Sequence, residues 1–310
     1  MKRALVTGGA GFIGSHLVEG LLACGYAVRA LDNFATGKRE NLAAVTDKIE
    51  LLEGDVRNLT TVRTAMRKVD VVFHEAALPS VERSVKNPLE SNEVNITGTL
   101  NVLLAARDAG VQRVIYAASS AAYGNTLTLP KEETMTPEPL SPYAVSKIAG
   151  EQYAKIFTQL YGLSTVSLRY FNVFGPRQDP TTQYAGVIAK FINCALEGKP
   201  FPVFGDGEQS RDFTYVSNVV DANILAAEAK LEGAVLMNIA YGQRASLNQI
   251  IDMLNELTHQ NLPAQYGPER AGDVRHSHAS LSRAKGILGY APKVDLLEGL
   301  RRTLEWYRSQ

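Results

Sequence analysis

In the run "YAVSK", Tyr143 stands four residues before Lys147 and directly after Pro142. On a helix, positions i and i+4 share one face, so a phenol and an ammonium in this register point at the same place. Alone, the pair reads more readily as helix surface than as a group that handles protons.

A second constellation lies at the N-terminus. In "VTGGAGFIGSHL", Gly8, Gly11 and Gly14 have the spacing GxxGxxG. Glycine permits a sharp turn and lets backbone N–H groups approach a pyrophosphate. The start of a helix adds partial positive charge. A β-rich run precedes the turn, a helical pattern follows it, and Asp32 closes the next β-rich run. That context reads as a dinucleotide site rather than a bare tight turn. A carboxylate at Asp32 accepts from ribose hydroxyls and repels a 2′-phosphate, which favours NAD. Lys38 and Arg39 follow closely and are the residues that would serve NADP instead. Asp55 reads as a neighbour of the adenine or as a helix N-cap. Ala76 and Ala77 are small enough for a dinucleotide to cross above them, or are packing residues.

These groups need elements to hold them. The β-rich runs span 3–8, 27–32, 49–55, 69–74, 113–119 and 164–170, with amphipathic stretches at 12–23, 60–67, 91–109 and 144–161. Apolar strands alternating with helices predict a parallel sheet covered on both faces, with ligands at the strand C-terminal ends. After Phe171 the alternation fades and Pro and Gly become frequent, with helices predicted at 183–197, 217–230, 246–258 and 295–308. The fold class is therefore α/β: a Rossmann-type doubly wound parallel sheet with a smaller mixed α/β C-terminal substrate lobe. The division is 1–170 and 171–310, with "VLMNIA" (235–240) as a strand returning to the main sheet.

Composition narrows the class. The chain has 310 residues, no net formal charge, 45% apolar and 21% charged residues. That is the balance of a soluble globular protein with a large core. No block of like charge points to nucleic acid or a membrane surface. "MKRALVTGG" has too short an apolar run for a signal-peptide core and reads as a first strand. No run approaches the ~20 apolar residues that span a bilayer. Cys24 and Cys194 sit in apolar helical patterns and are expected to be small buried thiols, in a reducing cytoplasm. "HSH" (His276 to His278) lacks further ligands nearby, so no metal is expected.

The motifs together resemble the extended short-chain dehydrogenase/reductase family: TGxxGxxG, Asp at the end of the second strand, "SS" after the fifth, then YxxxK. The resemblance runs from Lys2 to about Tyr307. It implies that Tyr143 is general base and then general acid, with Lys147 lowering its pKa and binding the nicotinamide ribose. A phenol is too weak an acid to be a base near neutrality unless an ammonium and a positive nicotinamide ring favour the phenolate. It implies that Ser119 hydrogen-bonds the reacting oxygen; a turn cap is its other reading. Phe12, Ile13, Asn33 and Val56 join the cofactor set by the same resemblance.

Within the family, the segment after the fifth strand separates reactions. Resembling dehydratases carry an Asp–Glu pair there, and decarboxylases that make pentose nucleotides a glutamate. Here "SSAAYG" places Ser120 and Ala121 at those positions, and alanine carries no proton. A chain equipped only to take a hydride and return it is an epimerase. "LRYFNVFGPRQDP" resembles the motif of UDP-sugar 4-epimerases. By that resemblance Asn172, Arg211 and Arg275 contact the diphosphate or sugar, Val187 and Lys190 start a helix near the uracil, and Phe204 packs on the base. Ser80 and Ser120 join the substrate set. Guanidiniums on a diphosphate make charge-assisted, often bidentate bonds; surface salt bridges are the other reading of both arginines.

The nearest resemblance is to bacterial 4-epimerases that prefer N-acetylated UDP-hexosamines and their uronic acids, through "NFATGKRENL", "SPYAVSK", "SRDFTYVSN" and "GDVRHS". Such enzymes leave room for an N-acetyl group with a small residue where Ser277 stands, whereas a tyrosine confines the pocket to plain hexoses. Pro79 replaces a glycine of close relatives, which puts the shape of the sugar loop in question. The expected activity is interconversion of UDP-GlcNAc and UDP-GalNAc. UDP-glucose and UDP-uronic acid 4-epimerisation are the alternatives, and a dehydratase, a decarboxylase or an NAD-sensing regulator the more distant ones. The resemblance also implies a homodimer through a four-helix bundle of 91–109 and 144–161, although core burial explains the same apolar pattern.

Overall fold

The computed structural model describes residues 1–180, 186–269 and 275–310. Six strands, β1 (Arg3–Thr7), β2 (Ala27–Asp32), β3 (Glu50–Glu53), β4 (Val71–His74), β5 (Arg113–Ser119) and β6 (Ser164–Tyr170), form one sheet with the strand Ala234–Ile239. Every pairing is parallel, in the order Ala234–Ile239, β6, β5, β4, β1, β2, β3. The chain leaves β1 in one direction and returns beside it as β4. The crevice above β1 and β4 is therefore where such sheets take ligands.

Both faces are covered because both are apolar. Helix α1 (Phe12–Ala23) and a helix over Val216–Glu228 pack on one face around Val6, Phe73, Ile115, Val166 and Met237. The helices Leu59–Ala65 and Gly98–Asp108 pack on the other around Leu5, Leu31, Val72 and Val114. Consecutive residues Leu5 and Val6 thus feed opposite cores, which is why these strands read as continuous apolar runs. A separate core holds the later chain: Phe191, Phe201, Phe213, Ile250 and Leu304 interlock between the helices Val187–Glu197, Leu247–Thr258 and Leu296–Arg308.

Two helices position chemistry. The helix Pro142–Tyr161, α2 below, starts where Ser141 accepts from Ala144 N–H at 3.1 Å, has Pro142 in its first turn, and ends at Gly162 with φ +70°. Each is a local stop or start signal. The stretch predicted as one helix over 91–109 is composite. A short helix (Pro88–Asn92) and Gly98–Asp108 flank a π turn at Glu93–Thr97. That turn aims Asn95 at Leu78, whose N–H it accepts at 2.8 Å and whose carbonyl it bonds at 3.2 Å. The Leu78–Ser80 loop is thereby pinned from below.

Other differences are local. β3 and β4 are shorter than the runs 49–55 and 69–74. The 3₁₀ stretch Arg39–Lys48 and the helices Val81–Lys86 and Ser282–Leu288 have too little periodicity to be read from sequence. Cys24 is exposed, not buried: it is the C-cap of α1, where the chain turns out through Gly25. Cys194 is half-buried, and both thiols are free. Part of the predicted helix 183–197 and residues 272–274 of "GDVRHS" lie outside the described residues. No described helix is long and apolar enough to cross a membrane.

Candidate active site

The glycine turn fits a dinucleotide for steric reasons. Gly8 has φ +69°, and a Cβ there would stand 2.8 Å from the backbone N of Ala76. A Cβ on Gly14 would meet the Gly8 carbonyl oxygen at 2.1 Å. The turn is drawn tightly against the end of β4, and no side chain caps Gly11, where α1 begins. The first N–H groups of α1, at Phe12 and Ile13, are thus left for an anion. Asp32 is buried, with one carboxylate oxygen accepting from Ala10 N–H at 2.9 Å and the other from Phe34 N–H at 2.8 Å. Each oxygen keeps a lone pair for a ribose hydroxyl. Lys38 pairs with Asp179, and Arg39 pairs with Glu53 while lying 3.9 Å over the Phe34 ring. The two cations that could have bound a 2′-phosphate are thus held by carboxylates.

Asp55 is not a helix N-cap; Asn58 takes that place for the helix Leu59–Ala65. Asp55 is gripped by Arg57 and by Asn33 Nδ2 at 2.8 Å, and the Arg57 hydrogen bond holds its carboxyl down to about 2. Val56, next in the chain, is buried against Gly98. Ala76 and Ala77 are partly exposed at the end of β4.

Below them His74 is fully enclosed. Thr99 gives its hydroxyl proton to the Asn95 carbonyl, so His74 Nε2–H donates to Thr99 at 2.9 Å and Nδ1 accepts from Thr7 at 2.7 Å. That chain fixes the neutral tautomer, and burial pushes the imidazole down to about 3. Thr7 in turn accepts from Ala76 N–H at 3.3 Å, which ties the glycine turn to the β4 end.

Tyr143 and Lys147 stand one turn apart on α2, facing the end of β5. Ser119 Oγ accepts from Ala121 N–H at 3.2 Å, and its hydroxyl lies beside the Tyr143 phenol. The cap reading of Ser119 is thus realised, with the phenol close by. Burial raises the Tyr143 phenol above its ordinary value, and the Ser119 hydroxyl works against that rise. Lys147 is buried, donates to the Ala117 carbonyl at 2.8 Å, and lies 5.2 Å from the Tyr116 ring centre. Burial pushes its ammonium down to about 8, opposed by Glu75 and Glu151. The chain's own groups thus leave the phenol protonated, with the ammonium directed at Ala117 instead of at the phenol.

The backbone of this face is secured. Tyr143 N–H, free as a first-turn donor, finds Ser84 Oγ at 3.0 Å, and the Tyr143 carbonyl accepts from Ser146 Oγ at 2.7 Å. Two turns beyond Tyr143, Glu151 makes a bidentate pair with Arg169 of β6 at 2.8 and 2.7 Å, both side chains under 5% exposed. The Arg169 guanidinium stacks 4.6 Å over Tyr123, whose hydroxyl donates to Asn238 at 2.7 Å. α2 is thereby bolted to β6 and to the turn Ser120–Tyr123.

The second lobe supplies a cleft of about 270 Å³ lined by Asn172, Val187, Lys190, Phe204 and Arg211, together with Gln178 and Gln209. Asn172 has φ +38°, and its side chain donates to the Asp212 carbonyl at 3.1 Å. Arg211 donates to the carbonyls of Ser210 and Arg275, each at 3.0 Å. Arg275 does not join the cleft lining. Its guanidinium lies on the surface, paired with Asp206 at 2.6 Å and Glu269 at 3.2 Å, which is the salt-bridge reading of that residue. Ser80 is the N-cap of the helix Val81–Lys86, and Ser120 opens the turn after β5. Ser277 donates its N–H to the Ser210 carbonyl at 3.0 Å, beside Arg211. A larger, open hollow of about 720 Å³ is lined by His276 and His278 but by none of the residues predicted to be catalytic, cofactor-binding or substrate-binding. No metal-holding cluster of His, Cys, Asp or Glu occurs among the described residues.

A tight glycine turn, the buried Asp32 carboxylate and a Ser–Tyr–Lys group thus meet at the strand ends of one parallel sheet. The profile of one family, "NAD dependent epimerase/dehydratase family", matches residues 4–240. This chain belongs to the NAD dependent epimerase/dehydratase family. It is 39% identical to a putative UDP-glucose 4-epimerase of Methanocaldococcus jannaschii, covering 98% of each chain. Among solved structures it resembles the UDP-N-acetylglucosamine 4-epimerase of Methanobrevibacter ruminantium in complex with UDP-N-acetylmuramic acid. There the TM-score is 0.95 at 40% identity, over 100% of this chain and 99% of that one. It also resembles the Thermus thermophilus UDP-glucose 4-epimerase complex with NAD, with a TM-score of 0.90 at 40% identity over 99% of each chain.

Two parts of this epimerase/dehydratase site escaped the sequence reading. Gln178 and Gln209 lie in irregular chain, where spacing carries no signal. Glu75 does carry one: a carboxylate inside the apolar run "VVFHEAA" at a strand end needs a reason to be there.

Proposed function

We propose that this NAD-dependent UDP-sugar 4-epimerase interconverts UDP-GlcNAc and UDP-GalNAc through a transient 4-keto sugar. The observation that carries the choice of sugar is Ser277, a small side chain on the stretch that adjoins Arg211. The choice of epimerisation over elimination rests on Ala121, where the dehydratase pattern has an acid.

NAD, when bound, would supply a reversible hydride acceptor and a positive charge on its oxidised ring. The chain's own residues do the rest. Tyr143 takes the C4 hydroxyl proton and later gives it back, with Ser119 beside it. Lys147 holds positive charge beneath the site and binds the nicotinamide ribose. Gly8, Gly11, Phe12, Ile13 and Gly14 receive the pyrophosphate, while Asp32, Asn33, Asp55 and Val56 enclose the adenosine. Arg211 grips the UDP diphosphate, Val187 and Lys190 start the helix near the uracil, Phe204 packs on the base, and Asn172 braces the cleft. A firm hold on UDP with few contacts to the hexose lets the keto sugar turn and present its other face. We assign residues 1–170, with the strand Ala234–Ile239, to the cofactor and most of 171–310 to the UDP-sugar.

A second reading, plain UDP-glucose 4-epimerisation, is favoured by the M. jannaschii and T. thermophilus relatives. Proton NMR of the protein with UDP-GlcNAc and, separately, UDP-glucose separates the two. Faster growth of the axial-epimer anomeric signal from UDP-GlcNAc is expected; conversion of UDP-glucose alone rejects the N-acetyl preference.

The family's homodimer is part of the proposal. Val145, Ile156 and Leu160 on α2 are 50%, 43% and 68% exposed, and Leu89 on the neighbouring short helix is 77% exposed. Such an apolar stripe on a helix pair supports a four-helix bundle with a second copy. Light scattering is expected to give the mass of two chains, and a monomer mass rejects the bundle. With two free thiols, a reducing cytoplasm is the proposed setting.

A further inference from the structure

Glu75 has no part in the roles above, yet it is fixed at the centre of the strand ends. Its Oε1 accepts from the Tyr170 hydroxyl at 2.8 Å, and that hydroxyl accepts from Asn223 Nδ2 at 2.8 Å. In the β4–β5 pairing His74 lies opposite Tyr116, so Glu75 comes next to Ala117, whose carbonyl holds the Lys147 ammonium. In the β5–β6 pairing Ser119 lies opposite Tyr170, the residue that holds the Glu75 carboxylate. Glu75 therefore stands among Ser119, Tyr143 and Lys147, and its charge reaches the last two.

The groups around it are few. From α2, Lys147 and Tyr143 face it, with Glu151 behind Lys147. From β6 comes Tyr170, and from the helix Val216–Glu228 the uncharged Asn223. β5 offers Ala117. His74 on β4 is turned to Thr7 and Thr99 and stays neutral.

We propose that Glu75 is a positioning residue for the proton transfer: its carboxylate, pinned by Tyr170, sets how strongly Tyr143 and Lys147 hold their protons. The proposal rests on Tyr143 being the group that takes the substrate's proton. An ionised Glu75 keeps Lys147 charged and opposes the Tyr143 phenolate by like-charge repulsion. A protonated Glu75 releases the phenol to ionise and loosens the proton of Lys147. Burial pushes the Glu75 carboxyl above the usual carboxylate range, against the Tyr170 hydrogen bond and Lys147.

The test uses the NAD-loaded enzyme. Glu75→Gln keeps the volume and the acceptor for Tyr170. The pH profile of kcat is recorded alongside ultraviolet titration of the phenol, with Tyr143→Phe as the blank. Removing the negative charge is expected to move the rising limb and the Tyr143 titration to lower pH by about half a unit or more. Tyr170→Phe strips the carboxylate of its donor, raises its proton affinity, and should move both in the same direction by less. Limb and titration within about 0.2 unit of the parent in both variants overturn the proposal. A uniform fall in kcat without a shift does so too, since it marks a structural role. Should Tyr143→Phe keep parental turnover, the base assignment fails instead, and the effect of Glu75 on the phenol is still read from the absorbance.

Discussion

The half proposed to handle protons and the half proposed to grip the nucleotide are built on different principles. Tyr143 and Lys147 stand on one long helix whose start is capped, whose first donor is met by Ser84, and whose far side is bolted to β6 by Glu151 and Arg169. Lys147, Tyr116 and His74 are buried there, and every shift in proton affinity begins with burial. The cleft lined by Phe204 and Arg211 is assembled from short strands, turns and the start of the helix Val187–Glu197, Arg211 is held by backbone carbonyls, and Phe204 is 41% exposed. Proton transfer demands placement within fractions of an ångström, which a helix packed on a sheet provides. Holding a diphosphate demands charge and reach, which partly exposed cations such as Arg211 provide.

The contrast predicts different signatures for damage. The largest effect belongs to Tyr143→Phe, which removes one hydroxyl from the rigid half. A fall in kcat of about 10² to 10⁴-fold with KM nearly unchanged is expected in a steady-state assay. A change confined to KM would break the distinction between the halves. Next comes Arg211→Ala in the gripping half. Loss of a charge-assisted bond worth about 1.5–3 kcal/mol should raise KM roughly 10- to 150-fold while kcat holds. A matching collapse of kcat would show that the two halves are not separable. The smallest effect is that of Ser277→Tyr, which only narrows space. The ratio of UDP-GlcNAc to UDP-glucose turnover should fall about tenfold by NMR, and an unchanged ratio would remove Ser277 from sugar choice.

The legible parts of the chain share a property: each is a local pattern. Gly8, Gly11 and Gly14 followed by Asp32, the pair Tyr143–Lys147, and the alternation of apolar strands with helices can be read because a turn, a helix face and a pleat have fixed periods. Arg275 shows the limit. Its charge suits a phosphate, but the residue that takes the guanidinium, Asp206, is distant in sequence, and the paired outcome depends on which turns fold together. Cys24 shows it on a smaller scale, since an apolar helical pattern does not reveal that the helix stops at that residue.

By itself, the sequence determined the sheet, the dinucleotide turn, the Ser119–Tyr143–Lys147 group and the absence of an acid at Ala121. These depend on residue type and on spacing within one or two elements. Only the tertiary structure decided that His74 is neutral, that Lys147 is aimed at Ala117, and that Glu75 lies between them and Tyr170. Protonation is set by burial and by partners brought together from separate strands and helices, and neither is written at any one position of the chain.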